Sequence, residues 1–597
     1  MQIVSESWKL NQKQTFVGES YININLRFNN DDTSNSANAT DNGSAYYGIT
    51  SQIISKDEKI IHDYATLEQN LWLLDGARKI IPSSNYSDAG YIGISISDDN
   101  CYYYGTNPTV SIEFSKVVTT LLPGITIVWS KNYGECPESF QIMTYNGNIL
   151  VDSITIVENN DIQSDVWFEF TNFNRMDIKV LRWCLPHHRA RIDHIFIGID
   201  KVYSNSEITD FKHESEVDPI GSSQFTSTID FSIDNISGEY DPNNQFGISK
   251  YLKERQELSV KYGFKIGDRI EWLDCGVFYL SHWNAPMNGL VANFKANSLL
   301  DFMTATYIKG LYRADGISLY NLALEVLEDA HLPLNSDDTV KWVLDESLKN
   351  IMTTAPLPLI TQEECLQYIA QAACCVLFCD RQGNLHIEPI SNNNLSDYTI
   401  SRFNSYSYPE IDLQKPLSYV KVKSFNYFIS EDDKNYEIFS GTLDISGTET
   451  ITLSYSNPAI NVRATVTDGT LVSAICYTYA AVLTITATGS VTIRMIGDIL
   501  SESTSDYVVK NAETGVEQTV ANPLITSSER MLIVGSWVKD WLKNRQIITA
   551  EWRADPRLDA TDIIAVENKF NTNKVRTSSV SISYTGAFKG KITGRSL

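Results

Sequence analysis

The sequence predicts a multidomain, mainly β protein with α+β modules set between β-barrel or sandwich domains. Three observations predict it. The chain has 597 residues, more than one hydrophobic core can fill. Short runs of apolar–polar alternation recur through most of it, separated by turn residues. Three stretches carry the helical i, i+3, i+4 stripe behind an N-cap signal. The 31 Tyr, 23 Phe and 11 Trp, with frequent Thr, Ile and Val, suit a pleated, half-buried surface.

The elements follow in order. In "YININLRF" (21–28), Ile22, Ile24, Leu26 and Phe28 alternate with polar partners, which predicts a half-buried strand. "NNDDTSNSANATDNGSA" (29–45) has no apolar period and predicts an exposed loop or disordered insert. Between 64 and 203, runs such as "YIGISIS", "TVSIEFS", "GITIVWS", "SFQIMTY", "MDIKVLRW" and "RIDHIFIGI" at regular spacing predict a sandwich. Further strands are expected at "SQFTSTIDFSIDN" (223–235), "ELSVKYGF" (257–264), "IEWLDCGVFYLSHW" (270–283) and "GLVANFKA" (289–296). Ser318 caps a predicted helix over 318–330 with Leu319, Leu322, Ala323, Val326, Leu327 and Ala330 on one face. "TQEE" at 361–364 is a capping box opening a second helix, which leads into a hairpin turning at Asp380 to Asn384. Residues 400–520 read as β, with strands at 419–427, 482–489 and 491–497. A last helix over 526–544, with a capping box from Thr526 to Glu529, precedes three closing strands.

These elements divide the chain into an N-terminal β segment (1–63), a sandwich (64–203), a β domain (204–310), an α+β module (311–400), a second β domain (401–525) and a closing helix-plus-β module (526–597).

The search for chemistry finds no catalytic or metal constellation. "IDFSIDNISGEYDPNN" (229–244) gathers Asp230, Asp234, Asn235, Glu239, Asp241, Asn243 and Asn244. A calcium loop begun at Asp234 would put Ile236 at position 3 and Glu239 where glycine is needed, so a strand and turn are expected. "HESEV" (213–217) lacks the second His of a zinc-protease helix, and no G-x-S-x-G or P-loop occurs. His187, His188 and His194 brush a zinc spacing, but no Cys pair accompanies them and the surrounding isoleucines predict strand. Cys365, Cys374, Cys375 and Cys379 sit among Ala, Val, Leu and Phe, which predicts core packing. Asp555, Asp559 and Asp562 fall in a Pro-containing turn rather than an acid–base pair. Trp129, Tyr133 and Tyr145 are aromatics able to stack on sugars, although Trp129 closes the alternation Ile125, Ile127, Trp129 and is expected in the core. No catalytic, cofactor or metal residue is assigned, no cofactor is expected, and ligand-binding residues are left open.

A net charge of −25 without a basic stripe excludes sequence-specific nucleic-acid binding by phosphate neutralisation. No signal peptide and no membrane-length apolar run are visible. The nine cysteines show no framework spacing and are expected as free thiols in a protein assembled in a cytoplasm.

"FTSTIDFSIDNISGEYDPNN" followed by "RIEWLDCGVFYLSHW" resembles the tail-tip and baseplate hub proteins of bacteriophages that infect Gram-positive bacteria. "NPLI" (522–525), "WRADPRLDATDIIAVEN" (552–568) and "YTGAFKGKITGRS" (584–596) are similar to that family's closing module. "TQEECLQYIAQAACCVLFCDRQGNLHI" is similar to its middle module. The resemblance covers about 205–597. Residues 64–203, with "ATLEQNLWLLDGAR" and "GITIVWSKNYGECPESFQIMTYNGN", resemble discoidin-like jelly-roll sandwiches. The resemblance implies hub-like β-barrels, a non-enzymatic virion role at the tail tip, and self-association into a ring, commonly a trimer. It implies distal-tail or tube, tape-measure and receptor-binding proteins as partners, and host cell-wall carbohydrate as a partner of the sandwich. The implied location is the virion tail, assembled in the host cytoplasm. Some relatives continue into a peptidoglycan hydrolase; this chain stops at Leu597, so no enzyme is expected. Excess carboxylates would then line a lumen and repel passing DNA, an expectation that a basic lumen in a solved ring overturns.

Overall fold

The structure, a computed structural model, describes all residues except 15–16, 30, 42–47, 55–60, 62–63, 73–77, 81–89, 245–246, 287–288, 336–338 and 391–394. It is mostly β, in several sheets with separate cores. The expected fold class is observed.

Alternation builds the largest sheet. In Ser20–Phe28 the side chains of Ile22, Ile24, Leu26 and Phe28 are buried, and in Thr226–Asp234 those of Ile229, Phe231 and Ile233 are. Each such side chain contributes about 1.5–3 kcal/mol when fully buried. The sheet has 13 strands. From one edge it runs Ile199–Tyr203, Ser20–Phe28, Glu257–Ile266, Arg269–Asn284, Val291–Asn297, Thr226–Asp234 and Ile208–Glu216. It continues through Thr572–Tyr584, Phe588–Ser596 and Gln546–Arg553 to Glu410–Leu413. Ile563–Glu567 branches from Thr572–Tyr584 and takes Leu395–Ile400 in parallel. Strands far apart in this order share one core. Tyr262 lies 5.3 Å from Phe588, Phe264 lies 5.4 Å from it, and Tyr584 donates its hydroxyl to the Ser20 carbonyl at 3.3 Å. Side chains six strands apart can meet only if the sheet curls over on itself.

The sandwich faces a five-stranded sheet with a three-stranded one. The first runs Ala37–Asp41, Thr109–Val118, Phe173–Trp183, Pro137–Asn146, Ile149–Ile156; the second runs His194–Phe196, Leu122–Val128, Gln163–Phe170. A short pair, Tyr91–Ile96 with Arg189–Ile192, flanks them. Trp129 is core, 4.9 Å from Phe140, with its indole N–H on Ser164.

Two segments differ from expectation. The polar stretch 29–45 holds a short helix, Asp31–Ser34, and the edge strand Ala37–Asp41, paired to Thr109–Val118; positions 30 and 42–45 lie outside the described residues. Backbone pairing at an edge needs no apolar period, and Ala39 supplies a buried side chain. The expected strand 191–199 breaks at Asp193, whose carboxylate accepts the Lys131 backbone N–H. Beyond the break, Ile199–Tyr203 pairs with Ser20–Phe28, and Phe28 stands opposite Ile199.

Helices Leu319–Ala330 and Gln362–Ala373 pack together beside a small sheet of Trp342–Leu344, Leu385–Glu388 and Val376–Cys379. Ser318 accepts from Asn321, and Thr361 with Glu364 forms the full capping box. The same core takes in Leu417–Phe428, Val516–Ala521 and the helix Ser528–Leu542. That helix is capped by Ser527, which accepts from Arg530, rather than by Thr526. Both residues can cap; Ser527 is one position nearer the first buried side chain, Met531.

The strands expected at 482–489 and 491–497 are one strand, Ala480–Ile499, paired with Tyr436–Ser454. A 20-residue strand drawn straight would span about 65 Å. Yet Ser454 pairs with Ala480 at one end while Ala459, a few residues on, pairs with Ile499 at the other. The link between them reaches roughly 18 Å at most. The strand pair therefore folds back on itself near Gly447 and Gly489, and Leu483, Ile485, Val491, Ile493 and Met495 form the core between its halves. Gly447 sits at φ 90°, a conformation glycine adopts without strain.

Candidate functional site

The residues weighed for chemistry fall into structural roles. At 234–244 the side chains serve their own turn. Asp234 accepts the Ile236 N–H, Asn235 accepts that of Tyr240, Asp241 accepts that of Asn243, and Gly238 takes φ 72°. Among the described residues no group of three or more His, Cys, Asp or Glu is placed to hold a metal.

His187, His188 and His194 do not converge. His187 lies 3.0 Å from Asp99 at the surface. His188 is buried with Nδ1 2.8 Å from Glu135, which also accepts the Trp183 indole N–H. His194 is buried in its strand. Of the cysteines, Cys365 is in mid-helix, Cys374 is the helix C-cap, Cys375 directly precedes the following strand and Cys379 ends it. Burial pushes the Cys374 thiol up to about 11 and those of Cys375 and Cys379 up to about 12. Thiols held protonated are poor nucleophiles and poor ligands.

Asp555, Asp559 and Asp562 form a clasp. Asp555 is buried and accepts from Arg557 and from the Trp8 indole N–H at 3.4 Å. Asp562 holds the Met1 ammonium at 2.5 Å and Asp559 accepts from Gln2. Arg381, at the tip of the 376–388 hairpin, donates to the Asp559 carboxylate and to the carbonyls of Asp274, Pro556 and Leu558. One guanidinium thus joins the α+β module, the large sheet and the closing segment.

In the sandwich, burial opposes ionisation of Glu68. Arg191, the Arg189 N–H and Thr66 outweigh it and hold the carboxyl below its ordinary range. Arg191 also lies over the Tyr133 ring at 4.6 Å. Tyr145 is covered by Arg175 at 4.2 Å. The exposed aromatics are others. Tyr104, 94 % exposed, with Tyr102 and Trp72, stands at the sandwich surface. "CYYYGTNP" (101–108), a tyrosine run inside turn residues, was the signal for this surface.

A trench of about 1560 Å3 lies where three bodies meet. Its floor is the outward face of Ser20–Phe28, Glu257–Ile266 and Arg269–Asn284, carrying Asn23, Asn25, Arg27, Ser259, Lys261 and Trp272. The sandwich forms one wall and the α+β module the other. Ties fix both walls. Lys250 reaches Glu169 at 2.7 Å, Tyr251 stacks on Trp167 at 5.7 Å, and Lys341 reaches Tyr279 at 2.8 Å and Glu257 at 3.3 Å. The polar side of "YININLRF" was legible; the walls over it were not.

Among the described residues no helix is long and apolar enough to cross a membrane. No family model and no curated protein matches the chain. Solved structures do. A 43 kDa tail protein of prophage MuSo2 from Shewanella oneidensis is 11% identical at a TM-score of 0.37, with 66% of this chain and 95% of that one covered. A tail protein from Neisseria meningitidis is 8% identical at 0.37, covering 66% and 93%. A prophage tail protein from Listeria monocytogenes is 8% identical at 0.35, covering 66% and 91%. The solved structures to which the chain is similar are phage tail and baseplate proteins and related tail-like components.

Proposed function

We propose that the chain is a non-enzymatic structural component of a phage-type tail, a tail-tip or baseplate hub that closes the tube and organises host-attachment proteins. One observation carries this reading. Four of the segments whose motifs resemble hub proteins, 225–244, 269–283, 552–568 and 584–596, are far apart in sequence yet come together in one curled sheet around one core. Its partners are further copies in a closed ring, such as a trimer, and distal-tail or tube, tape-measure and receptor-binding proteins. Its place is the virion tail of a phage of a Gram-positive host. Self-association is supported by the sheet edge Glu410–Leu413, which is paired on one side only among the described residues; Ile411 and Leu413 on it, and Phe403, Tyr406 and Tyr408 before it, are exposed. Isolated proteins rarely leave such an edge uncovered.

The test is the solution mass of the full chain over a wide concentration range, alone and with tail-tube protein. A closed oligomer that Leu413→Lys dissociates supports the hub. A monomer that neither closes nor joins the tube overturns it.

A second reading, a carbohydrate-binding adhesin acting through a discoidin-like sandwich, is favoured by exposed Tyr102, Tyr104 and Trp72. Binding of host-wall glycan by the full chain, lost in Tyr104→Ala, would support it; unchanged binding in that variant would remove it.

A further inference from the structure

We propose that the trench between the sandwich, the large sheet and the α+β module binds a neutral polyhydroxylated chain, an oligosaccharide of several rings. This site is separate from the sandwich aromatics and does not depend on the tail assignment.

Size points to a chain. A cavity of about 1560 Å3 exceeds the roughly 300–1,000 Å3 of a small-molecule pocket. Its charge points to a neutral one. Within a molecule of net charge −25, three cations along the trench are matched by carboxylates. Arg27 pairs with Asp200 at 3.5 Å and Glu257 at 3.1 Å, Lys261 with Asp274 at 3.9 Å, and Arg381 with Asp559 at 2.7 Å. A charged ligand would have to displace these partners. Hydroxyl groups, which donate and accept at once, fit beside paired guanidinium, ammonium and carboxylate groups without breaking them.

One feature of the floor favours sugar. Trp272 lies across Gly263 of the neighbouring strand, where a Cβ would sit 2.9 Å from the indole, and it remains 41 % exposed. Glycine there lets the ring lie low against the backbone, as a platform for the apolar face of a pyranose. An extended peptide is less well served. Ser20–Phe28 and Glu257–Ile266 have strand partners on both sides and offer no edge to extend.

The experiment titrates the full chain with neutral hexose and N-acetylhexosamine oligosaccharides of increasing length, read by tryptophan fluorescence and saturation-transfer NMR. Dextran sulfate, duplex DNA and an acidic peptide serve as comparators. We expect affinity to rise with oligosaccharide length. Trp272→Ala should weaken binding about tenfold at unchanged melting temperature, the scale of one lost contact, while Phe570→Ala, exposed and outside the trench, leaves it unaltered. The proposal is overturned by no oligosaccharide binding, by preference for a comparator, or by binding that Tyr104→Ala abolishes and Trp272→Ala leaves intact.

Discussion

At the scale of single residues, the polar side chains of this chain hold strands in place. The Glu68–Arg191 pair binds the 64–71 segment to strand Arg189–Ile192. Glu68→Gln leaves a buried guanidinium without its counter-ion, and we expect it to destabilise the sandwich by about 3–5 kcal/mol in urea unfolding. His213 carries a pH dependence. Its ring nitrogens face Tyr262 at 3.0 Å and Ser227 at 3.3 Å, and enclosure, with Arg381 nearby, pushes its pKa down to about 3. As pH falls below the ordinary value of about 6.5, the unfolded chain takes up the proton before the folded one does. Stability is therefore complete above that pH and declines toward pH 3, by about 1.4 kcal/mol per unit. The urea midpoint should fall from pH 6 to pH 4, and His213→Gln should flatten that slope.

At the scale of elements, two helix caps that the sequence announces are formed as expected, at Ser318 and Thr361. The third moved by one residue. Ser527→Ala should cost about 1 kcal/mol and Thr526→Ala markedly less, a comparison thermal melts can read. Arg381 tests how elements are joined. Arg381→Ala removes the clasp on Asp559 and three carbonyls, and we expect a loss of about 3 kcal/mol with faster hydrogen exchange in 376–388 and 555–562. What was legible here follows from physics. Ile22 to Phe28 and Ile229 to Ile233 declare strands because one face is wet. Ala37–Asp41 declares nothing, since an edge strand is held by its backbone. Gly489 resembles a strand end in sequence but is a bend within one strand. Asn23 and Asn25 mark only a polar face, because the walls above them come from residues about a hundred or more positions away, such as Thr120, Lys131 and Lys341.

At the scale of the whole molecule, charge and exposed edge act against each other. A net charge of −25 makes copies repel, while the aromatic edge at 403–413 favours association. Raising ionic strength screens the repulsion, so sedimentation velocity should show the oligomer strengthening as salt rises; weakening with salt would mean that ion pairs hold the copies together. The pairing of Phe28 with Ile199 has a further consequence. The two strands form an ordinary hairpin whose connecting loop happens to be an entire sandwich. Tyr436, opposite Gly497, closes the folded-back strand pair in the same way. Chain leaves and returns at one spot, so each of these bodies is a cassette hung on a continuous scaffold. Lineages could exchange such cassettes, and with them the surface presented to the outside, without rethreading a single strand of the frame.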